Sequence, residues 1–345
     1  MAGEPPKNRH RGTPGLLLKF FQVALYIPIQ VAFIPFAVVG LVDAIFKEII
    51  ISRRLDVSFT AIKALQYRWI MHYFDTRPDP ISVAFTKKLP CESHFSLWST
   101  FGALIISQRL FGFTTIFGRV AEPGKETPVS TAGSRVLMFD AIVEKYVDDV
   151  EQIVIPGAGF DLVALHFTKA KNTTVFELDQ TGTLQVKLET LKKAGIAHDW
   201  ITYVPVDYST ESWTEKLLAA GFDKTKKTLF LWESVSLFLE AGAVKKTLRE
   251  MAGLCTGGSV IAQDFYSEAF IAGETSRTVK RSSRMMDIMG EQWRFGIDMS
   301  NDPESAIASF LEDCGLRMTE YFQFGEKLGI EPFYCVVEAE RLDHV

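Results

Sequence analysis

The chain has 345 residues, of which 47% are hydrophobic, and a net charge of −5 from 37 basic and 42 acidic residues. This length suffices for one large domain with an appendage, and the acidic balance without a basic tract argues against a nucleic-acid partner. The four cysteines show neither CxxC pairing nor a nearby histidine. They predict buried thiols in a reducing compartment, with no metal site and no disulfides.

The first 54 residues contain a long apolar run. Residues 1 to 15, which hold prolines, glycines and basic side chains, are expected to be disordered. Residues 20 to 42 are 23 consecutive uncharged positions, and about 20 apolar residues suffice to span a bilayer. Pro28 and Pro35 would kink a helix here, which a membrane tolerates better than water does. We therefore predict membrane association through residues 20 to 42.

Other interpretations of this run stay open. It could form a bent helical pair lying in the membrane interface, or a helix buried in the protein's own core. A cleaved signal is a further alternative, although the run is long for one and lacks a clear small-x-small site. Basic residues flank the run on both sides, so its orientation cannot be deduced from charge. We expect a membrane-associated protein whose catalytic domain faces the cytosol.

Residues 55 to 128 predict a helical cap. Apolar side chains recur there at helical spacing, and three prolines interrupt them. The stretch from 95 to 118 is apolar again, but Arg109 would be costly in lipid, so a packed cap helix is favoured over a second span. A polar segment at 122 to 128 predicts a linker, and the catalytic domain is expected to occupy residues 129 to 345.

This domain opens with a predicted β-α-β unit, preceded by a helix. A strand at 153 to 155 leads to Gly157 and Gly159, and after an apolar helix a second strand at 174 to 178 ends beside Asp179. Glycine allows a ligand to approach the backbone closely and permits angles that a Cβ forbids. A carboxylate about 20 residues further on accepts hydrogen bonds from ribose hydroxyls. The unit therefore predicts an adenosine-containing ligand.

The loop residues also bear on the type of nucleotide. A dinucleotide fingerprint has a third glycine, and its diphosphate rests on the helix N-terminus. Here Leu162 replaces that glycine, and Asp161 lies where the phosphates would be. Both favour S-adenosylmethionine, which has no phosphate and carries a sulfonium cation. A lone GxG also occurs in ordinary tight turns, and a nicotinamide-dependent oxidoreductase stays the alternative enzyme class.

Strands and helices alternate through the rest of the chain. Further strands are predicted at 201 to 206, 228 to 232, 259 to 263 and 333 to 338, and helices at 212 to 220, 244 to 254 and 306 to 314. This alternation predicts a parallel, doubly wound, Rossmann-like α/β sheet with its ligand at the carboxyl ends of the strands. Gly157, Asp179, Asp207 and Glu233 would then converge in one cleft.

Eight stretches match one family pattern in order and spacing. They are Ser134–Asp140, Ile155–Asp161, Val175–Gln180, Val204–Tyr208, Gly221–Asp223, Leu231–Leu239, Trp293–Ile297 and Phe310–Gly315. Together they resemble the leucine carboxyl methyltransferases and related S-adenosylmethionine-dependent O-methyltransferases over about residues 55 to 345. Pro156 and the Val136-Leu137 pair after Arg135 depart from the pattern, and the hydrophobic N-terminus is not part of it.

The resemblance implies a class I methyltransferase sheet and a binding site for the methionine end of the donor. Arg135 would bind the methionine carboxylate with its guanidinium fork, and Lys63 is a weaker candidate for the same carboxylate. Gly157 and Gly159 would approach the methionyl part. Glu233 would hold the amino group of the donor.

The resemblance also implies a binding site for the nucleoside end. Asp179 would bind the ribose hydroxyls, with Glu177 as its rival for that task. Asp207 and Tyr208 would flank the adenine, the first by a hydrogen bond and the second by packing.

The function predicted from these residues is S-adenosylmethionine-dependent O-methylation of a carboxylate or hydroxyl on a small-molecule acceptor. A carboxylate acceptor is ionised at neutral pH and needs no base, whereas a hydroxyl acceptor needs one. None of the six histidines lies in a motif that nominates it as that base. Residues 266 to 298 and the cap are expected to enclose the acceptor, which would be lipophilic if residues 20 to 42 lie in a bilayer. The non-enzymatic alternative is a membrane-tethered binding module without turnover.

Overall fold

The structure is a computed structural model that describes residues 15–168 and 173–342. Residues 1 to 15, which were expected to be disordered, lie outside the described residues except for Gly15. The helices are α1 (Leu16–Ile45), α2 (Ser52–Arg54), α3 (Phe59–Tyr73), α4 (Pro80–Thr86), α5 (His94–Phe111), α6 (Thr131–Tyr146), α7 (Val163–Phe167), α8 (Thr181–Ala194), α9 (Trp213–Ala219), α10 (Ala241–Leu254), α11 (Glu268–Ile271), α12 (Arg277–Met289) and α13 (Pro303–Glu312).

The strands of the described chain form one seven-stranded sheet. They are β1 (Gln152–Pro156), β2 (Thr174–Asp179), β3 (Ile201–Pro205), β4 (Thr228–Trp232), β5 (Val260–Tyr266), β6 (Leu316–Gln323) and β7 (Tyr334–Arg341). Their order in the sheet is β3-β2-β1-β4-β5-β7-β6, and β1 to β5 run parallel. The order reverses between β1 and β4, where an α/β sheet binds its ligand. The prediction of a doubly wound α/β sheet is confirmed for these five strands.

The last two strands correct the expectation that the whole sheet is parallel. β7 runs antiparallel to β5 and to β6, and β6 was not predicted at all. Only residues 324 to 333 join β6 to β7. A parallel crossover needs a dozen or more residues, usually including a helix. The short connection therefore forces a hairpin, and the sheet is mixed.

Helices cover both faces of the sheet because alternate residues of each buried strand point to opposite sides. Ile153 and Ile155 of β1 belong to the core cluster that includes α6 and the cap residues Ile62 and Leu65. Val154 belongs to the opposite cluster, formed with α9, α10 and α13. The cap therefore shares one core with the sheet, and the division at residues 128 and 129 stays a prediction.

The cap consists of α3, α4 and α5. α5 is capped at its N-terminus by Ser93, whose side chain accepts a hydrogen bond from the backbone N–H of Ser96, and at its C-terminus by Gly112 with φ +73°. It packs on α3 through a cluster that contains Trp69, Phe74 and Ile105. α5 is thus the packed helix that was favoured over a second span.

Helix α1 runs without interruption through Pro28 and Pro35 and continues by a π-helical segment, Phe46–Ile51, into α2. The combined helix is long and apolar enough to cross a membrane, and 6% of its most apolar part is buried. Leu17 is 88% exposed and Phe20 is 77% exposed. The alternative that this run is a core helix is wrong, since the helix lies on the outside of the described structure.

Candidate active site

The loop between β1 and α7 has the tight geometry that its glycines predict. Gly157 and Gly159 have φ values of +71° and +48°, which residues with a Cβ rarely adopt. The backbone N–H groups of Gly157 and Ala158 donate to the carbonyl oxygen of Leu178 at 2.8 and 3.0 Å. The loop is therefore held against the end of β2, at the carboxyl edge of the sheet.

Replacing Gly157 by alanine is expected to weaken this loop. An added Cβ would lie 2.7 Å from Cγ2 of Val235, and the positive φ adds strain. Together these should cost about 1–3 kcal/mol and lower the affinity for the nucleoside donor. Gly253→Ala is the matched control, because nothing lies within 4 Å of its Cβ position in α10, and it should stabilise by about 0.5–1 kcal/mol. Urea unfolding measures the stability of both variants, and equal stabilities would contradict the strain expected at Gly157.

Asp179 is joined directly to the glycine loop. Its carboxylate accepts the backbone N–H of Gly159 at 2.6 Å and that of Gln180 at 2.7 Å. Burial raises the pKa of Asp179, and these two N–H groups oppose the shift. The carboxylate has further lone pairs for a diol, so its position suits the ribose role implied by the resemblance.

Glu177, the rival for that role, is engaged elsewhere. Its side chain is 1% exposed and its carboxylate is paired at 2.5 Å with Nζ of Lys187, which is fully buried. Lys187 also donates to the backbone carbonyl of Asp161 at 2.6 Å. Burial raises the pKa of Glu177, and Lys187 opposes the shift. This arrangement favours Asp179 over Glu177 as the ligand of a ribose.

Arg135 and Glu233 meet at the carboxyl end of β4. Nε of Arg135 donates to Oε1 of Glu233 at 2.7 Å, and Nη1 donates to the hydroxyls of Ser234 and Tyr266. The two charged side chains are only 12% and 16% exposed. Burial raises the pKa of Glu233, and the charge of Arg135 acts against this. These contacts use Nε and Nη1 of Arg135, and a guanidinium has five N–H donors, so Arg135 also has donors for a ligand carboxylate.

Asp264, at the carboxyl end of β5, supports this pair, although its role was not predicted. It is completely buried and accepts hydrogen bonds from the backbone N–H of Ser234 at 2.8 Å and from the Tyr334 hydroxyl at 2.9 Å. Ser234 has a φ of +55°, a strained value for a residue with a side chain. The bond from Ser234 to Asp264 stabilises that conformation, which holds the Ser234 hydroxyl beside Arg135.

Arg68 of α3 is a second buried arginine that sequence reasoning missed. Its Nη2 lies 2.7 Å from Oδ1 of Asp161, and its side chain is 3% exposed. Nη1 has no hydrogen-bond partner among the described residues. Asp161 is therefore neutralised by an ion pair, and its charge excludes a diphosphate less strongly than the sequence argument assumed.

Lys63, the weaker candidate for the donor carboxylate, points away from this cluster. It lies five positions before Arg68 on α3, which is about 140° around the helix. Its Nζ lies 2.6 Å from Oε2 of Glu48 in the π-helical segment. The cap does supply a cation to the cluster, but that cation is Arg68.

Asp207 and Tyr208 have different positions in the structure. Asp207 is exposed, and its carboxylate accepts bonds from Ser209 and Thr210 in its own turn. Tyr208 is 41% exposed, but its hydroxyl accepts the backbone N–H of Gly157 at 3.1 Å. Tyr208 thus lies against the glycine loop, whereas Asp207 is not brought to the cluster. Their adenine-binding roles stay predictions.

The segment that was expected to enclose the acceptor does contact the cap. The carboxylate of Glu291 accepts the backbone N–H groups of Phe59 and Thr60 at 2.6 and 3.0 Å, at the N-terminus of α3. Trp293 stacks on Phe270 with a ring separation of 5.2 Å. Residues 266 to 298 therefore close over the same side of the domain as the cap.

The described histidines form contacts outside this cluster. His72 accepts the backbone N–H of Asp79, His94 accepts from Trp69, and His166 lies 2.8 Å from a carboxylate oxygen of Asp79. His10 and His344 lie outside the described residues. The structure therefore nominates no histidine base.

A cavity of about 410 Å³ lies on the cap, away from the glycine loop. It is lined by His72, Tyr73, Pro80, Val83, Ala84, Lys87, Lys88 and Ala194, none of which was assigned to the donor. Within residues 15–168 and 173–342, no group of three or more histidine, cysteine or acidic side chains could hold a metal ion. All four cysteines are buried, as predicted.

Comparison with a family model confirms the resemblance for the central part of the chain. Residues 118–252 match the leucine carboxyl methyltransferase family. This segment contains Arg135, the glycine loop, Asp179 and Glu233. It omits α1 to α5 and the strands β5 to β7, so the match is shorter than the expected range of 55 to 345.

Mycobacterial relatives that are provisionally named S-adenosyl-L-methionine-dependent methyltransferases are similar to the chain. One from Mycobacterium sp. (strain KMS) is 29% identical over 193 residues, which are 53% of this chain and 61% of the relative. One from Mycobacterium marinum (strain ATCC BAA-535 / M) is 31% identical over 166 residues, or 47% and 52% of the two chains. The chain thus spans about three fifths of the first of these relatives and half of the second.

A solved structure of mitomycin 7-O-methyltransferase shows a more distant similarity. Its identity is 16% and its TM-score is 0.41, with 76% of this chain and 73% of that chain covered.

Proposed function

We propose that this protein is an S-adenosylmethionine-dependent methyltransferase that methylates an oxygen of a small, lipophilic acceptor. S-adenosylmethionine is the cofactor and binds at the carboxyl ends of β1, β2 and β4. The observation that supports this most directly is the buried Arg135–Glu233 pair, 2.7 Å apart, beside a glycine loop whose Gly159 N–H is bound by Asp179. All four residues lie in the segment that matches the leucine carboxyl methyltransferase family.

Different side chains of the protein bind different parts of the donor. Arg135 binds the methionine carboxylate by charge-assisted hydrogen bonds, and Glu233 holds the donor's ammonium group. Gly157 and Gly159 leave space for the methionyl part, and Asp179 binds the ribose hydroxyls. When bound, the donor supplies an electrophilic methyl group on a positively charged sulfur.

Methyl transfer from this site is an in-line displacement at the methyl carbon. The protein contributes mainly proximity and alignment, which can account for several kcal/mol of the barrier. A carboxylate oxygen on the acceptor attacks without a base. That fits a cluster whose arginines and carboxylates are already paired and in which the described histidines take no part.

Calorimetry with S-adenosylmethionine and with NAD tests the cofactor. We expect heat of binding from the first and none from the second. NAD is a necessary comparison because Arg68 neutralises Asp161, and the loop does not repel a diphosphate by charge alone. Binding of NAD without binding of S-adenosylmethionine would establish the oxidoreductase alternative.

Turnover separates an enzyme from a binding module. The protein is incubated with methyl-labelled donor and a lipid or metabolite extract, and labelled products are separated by polarity. We expect label in an apolar product. Donor binding with no labelled product from any extract fraction would support the module without turnover.

Asp179→Ala should lower donor affinity by at least about tenfold, because the ribose hydroxyls lose a charged acceptor worth roughly 1.5–3 kcal/mol. Calorimetry with S-adenosylmethionine measures this. Asp199→Ala serves as the control, since Asp199 is also acidic but is exposed and lies outside the cluster. This variant should bind S-adenosylmethionine with unchanged affinity. Equal affinities of the two variants would remove Asp179 from the site.

Membrane association through residues 20 to 42, with the catalytic domain facing the cytosol, is part of the proposal. The exposed apolar surface of α1 supports it, because such a surface is unfavourable in water. A lipophilic acceptor would then reach the site from the membrane. Full activity on a polar acceptor by a soluble protein lacking residues 1 to 54 would contradict this part.

A further inference from the structure

The contacts of α1 determine how this helix can meet a membrane. Nε2 of Gln22, near its start, donates to the carbonyl oxygen of Phe111 at 2.9 Å, at the end of α5. Asp43, near the end of α1, accepts a hydrogen bond from Ser93 at the beginning of α5. Gln22 and Asp43 are about 32 Å apart along a helix that rises 1.5 Å per residue. The two helices therefore lie side by side over nearly the whole apolar run.

Small residues make this contact close. A Cβ on Gly40 would lie 2.0 Å from Oγ of Ser99, and a Cβ on Gly102 would lie 2.5 Å from the Phe33 ring. The rings of Tyr26 and Phe113 stack with their centres 4.6 Å apart. α1 is thus packed onto α5 along its length, and the pair behaves as one layer.

Both ends of α5 are in turn fixed to α3. The indole N–H of Trp69 donates to Nδ1 of His94 at 3.2 Å at one end, and Nε2 of Gln108 donates to the carbonyl oxygen of Phe74 at 3.0 Å at the other. α3 itself carries Arg68, which binds the glycine loop. α1 is therefore held flat against the catalytic body, with α5 between them.

This arrangement does not allow α1 to cross a bilayer. The hydrocarbon core is about 30 Å thick, so a crossing α1 would immerse α5 and the face of α3 beneath it. Arg109 on α5 is exposed, and a charged side chain in hydrocarbon is costly. A helix that lies parallel to the membrane surface avoids that cost.

Beyond the exposed Lys19 near its start, the outward face of α1 is apolar from Phe20 to Val42. Its exposed side chains include Leu17, Phe20, Val31, Phe36, Val39 and Val42. Phe95 and Leu110 extend the same apolar character onto α5, with exposures of 46% and 72%. A continuous surface of this kind fits the outer part of a lipid leaflet.

The border of this face is positively charged, although the whole chain carries −5. Arg53 and Arg54 lie at the end of α2, and Nη2 of Arg53 donates to the carbonyl oxygen of Ile288 at 3.3 Å, which brings α12 beside them. Lys280, Arg281 and Arg284 of α12 are exposed and form no ion pair with another described residue. Such a cluster attracts anionic lipid headgroups.

We propose that α1 lies in the plane of one membrane leaflet with its outer face in the lipid, while Arg53, Arg54 and the basic face of α12 bind anionic headgroups. The active site then lies at the surface of the leaflet that holds α1. This inference rests on the membrane association in the proposed function, and it adds that the helix does not span.

Cysteine labelling on sealed vesicles tests the orientation. Gly15→Cys places a thiol at the exposed start of α1, where a Cβ has nothing within 4 Å, and Lys224→Cys places one on the exposed surface of the catalytic domain. The native cysteines are buried and contribute little background. The protein is bound to equimolar phosphatidylcholine and phosphatidylserine vesicles on which Lys224→Cys reacts fully with a membrane-impermeant maleimide.

We expect Gly15→Cys to react to the same extent as Lys224→Cys before detergent is added. Reaction of Gly15→Cys only after detergent would show that α1 spans, and would overturn the proposal. A protein that fails to float with either lipid, or forms a soluble dimer instead, would overturn the membrane association as well. Calorimetry with S-adenosylmethionine tests the methyltransferase assignment independently of both results.

The basic face is tested by flotation at limiting lipid. The triple variant Lys280→Gln, Arg281→Gln, Arg284→Gln should bind the anionic vesicles about 100-fold more weakly, with little change on phosphatidylcholine alone. The control is a second triple variant, Lys192→Gln, Lys193→Gln, Lys224→Gln, which removes the same charge from other exposed positions. It should bind the anionic vesicles as the unmodified chain does. An equal loss of binding to anionic vesicles in both triple variants, or no loss in either, would overturn the role of α12.

Discussion

Arg135→Ala is expected to abolish binding of S-adenosylmethionine and to destabilise the protein. The substitution removes the charge that binds the donor carboxylate, so the affinity should fall by at least about 100-fold. It also leaves Glu233, whose side chain is 16% exposed, and the fully buried Asp264 without their cation. Removing one partner of a buried ion pair costs about 3–5 kcal/mol. Calorimetry and urea unfolding measure the two effects.

The two consequences of this substitution can be separated. Arg135→Lys keeps a positive charge but loses the planar fork, so it should recover much of the stability and little of the donor affinity. Arg294→Ala is the surface control, because Arg294 and Glu240 are exposed partners 2.9 Å apart, and it should cost at most about 1 kcal/mol. A folded Arg135→Ala protein that binds the donor with unchanged affinity would contradict the site.

Lys187→Met should be the most destabilising single change on α8. Lys187 is fully buried, and its loss leaves the carboxylate of Glu177 buried without a partner and the carbonyl oxygen of Asp161 without its donor. The expected cost is about 3–5 kcal/mol, measured by urea unfolding. Since burial already raises the pKa of Glu177, this carboxyl should bind a proton once the cation is gone.

The same helix offers a matched control for this effect. Lys193 pairs with Glu189 at 3.2 Å, and both are more than half exposed, so Lys193→Met should change the stability by no more than about 0.5 kcal/mol. Adding Glu177→Gln to Lys187→Met should restore part of the loss, because the buried acid is removed. If both single lysine variants are equally stable, the Lys187–Glu177 pair contributes nothing to the fold.

The sequence predicted the strands that bear the site because those strands are short, apolar and followed by polar residues. β1, β2 and β4 were placed to within one or two residues, and with them Gly157, Asp179 and Glu233. Such strands are buried on both faces, so their signal is continuous. β6 was missed because it lies at the edge and its alternation is broken by a register shift between Met318 and Glu320.

The partners inside the cluster were harder to predict, because they come from distant parts of the chain. Arg68 meets Asp161 across 93 positions, and no local pattern marks which cap residue faces the glycine loop. The helical period alone could have placed Lys63 and Arg68 on different faces of α3. It could not have shown which of these faces points inward. Asp264 did carry a signal, namely an acidic residue within a strand that is buried at every position.

The irregular strand β6 has a consequence for how copies of the protein coexist. A sheet with an open edge offers unpaired peptide groups to a neighbouring chain. On β6 the register shift between Met318 and Glu320 interrupts that row, and the charged side chain of Arg317 is 65% exposed beside it. Molecules crowded together on one lipid surface should therefore stay separate, without adding strand to strand into fibres.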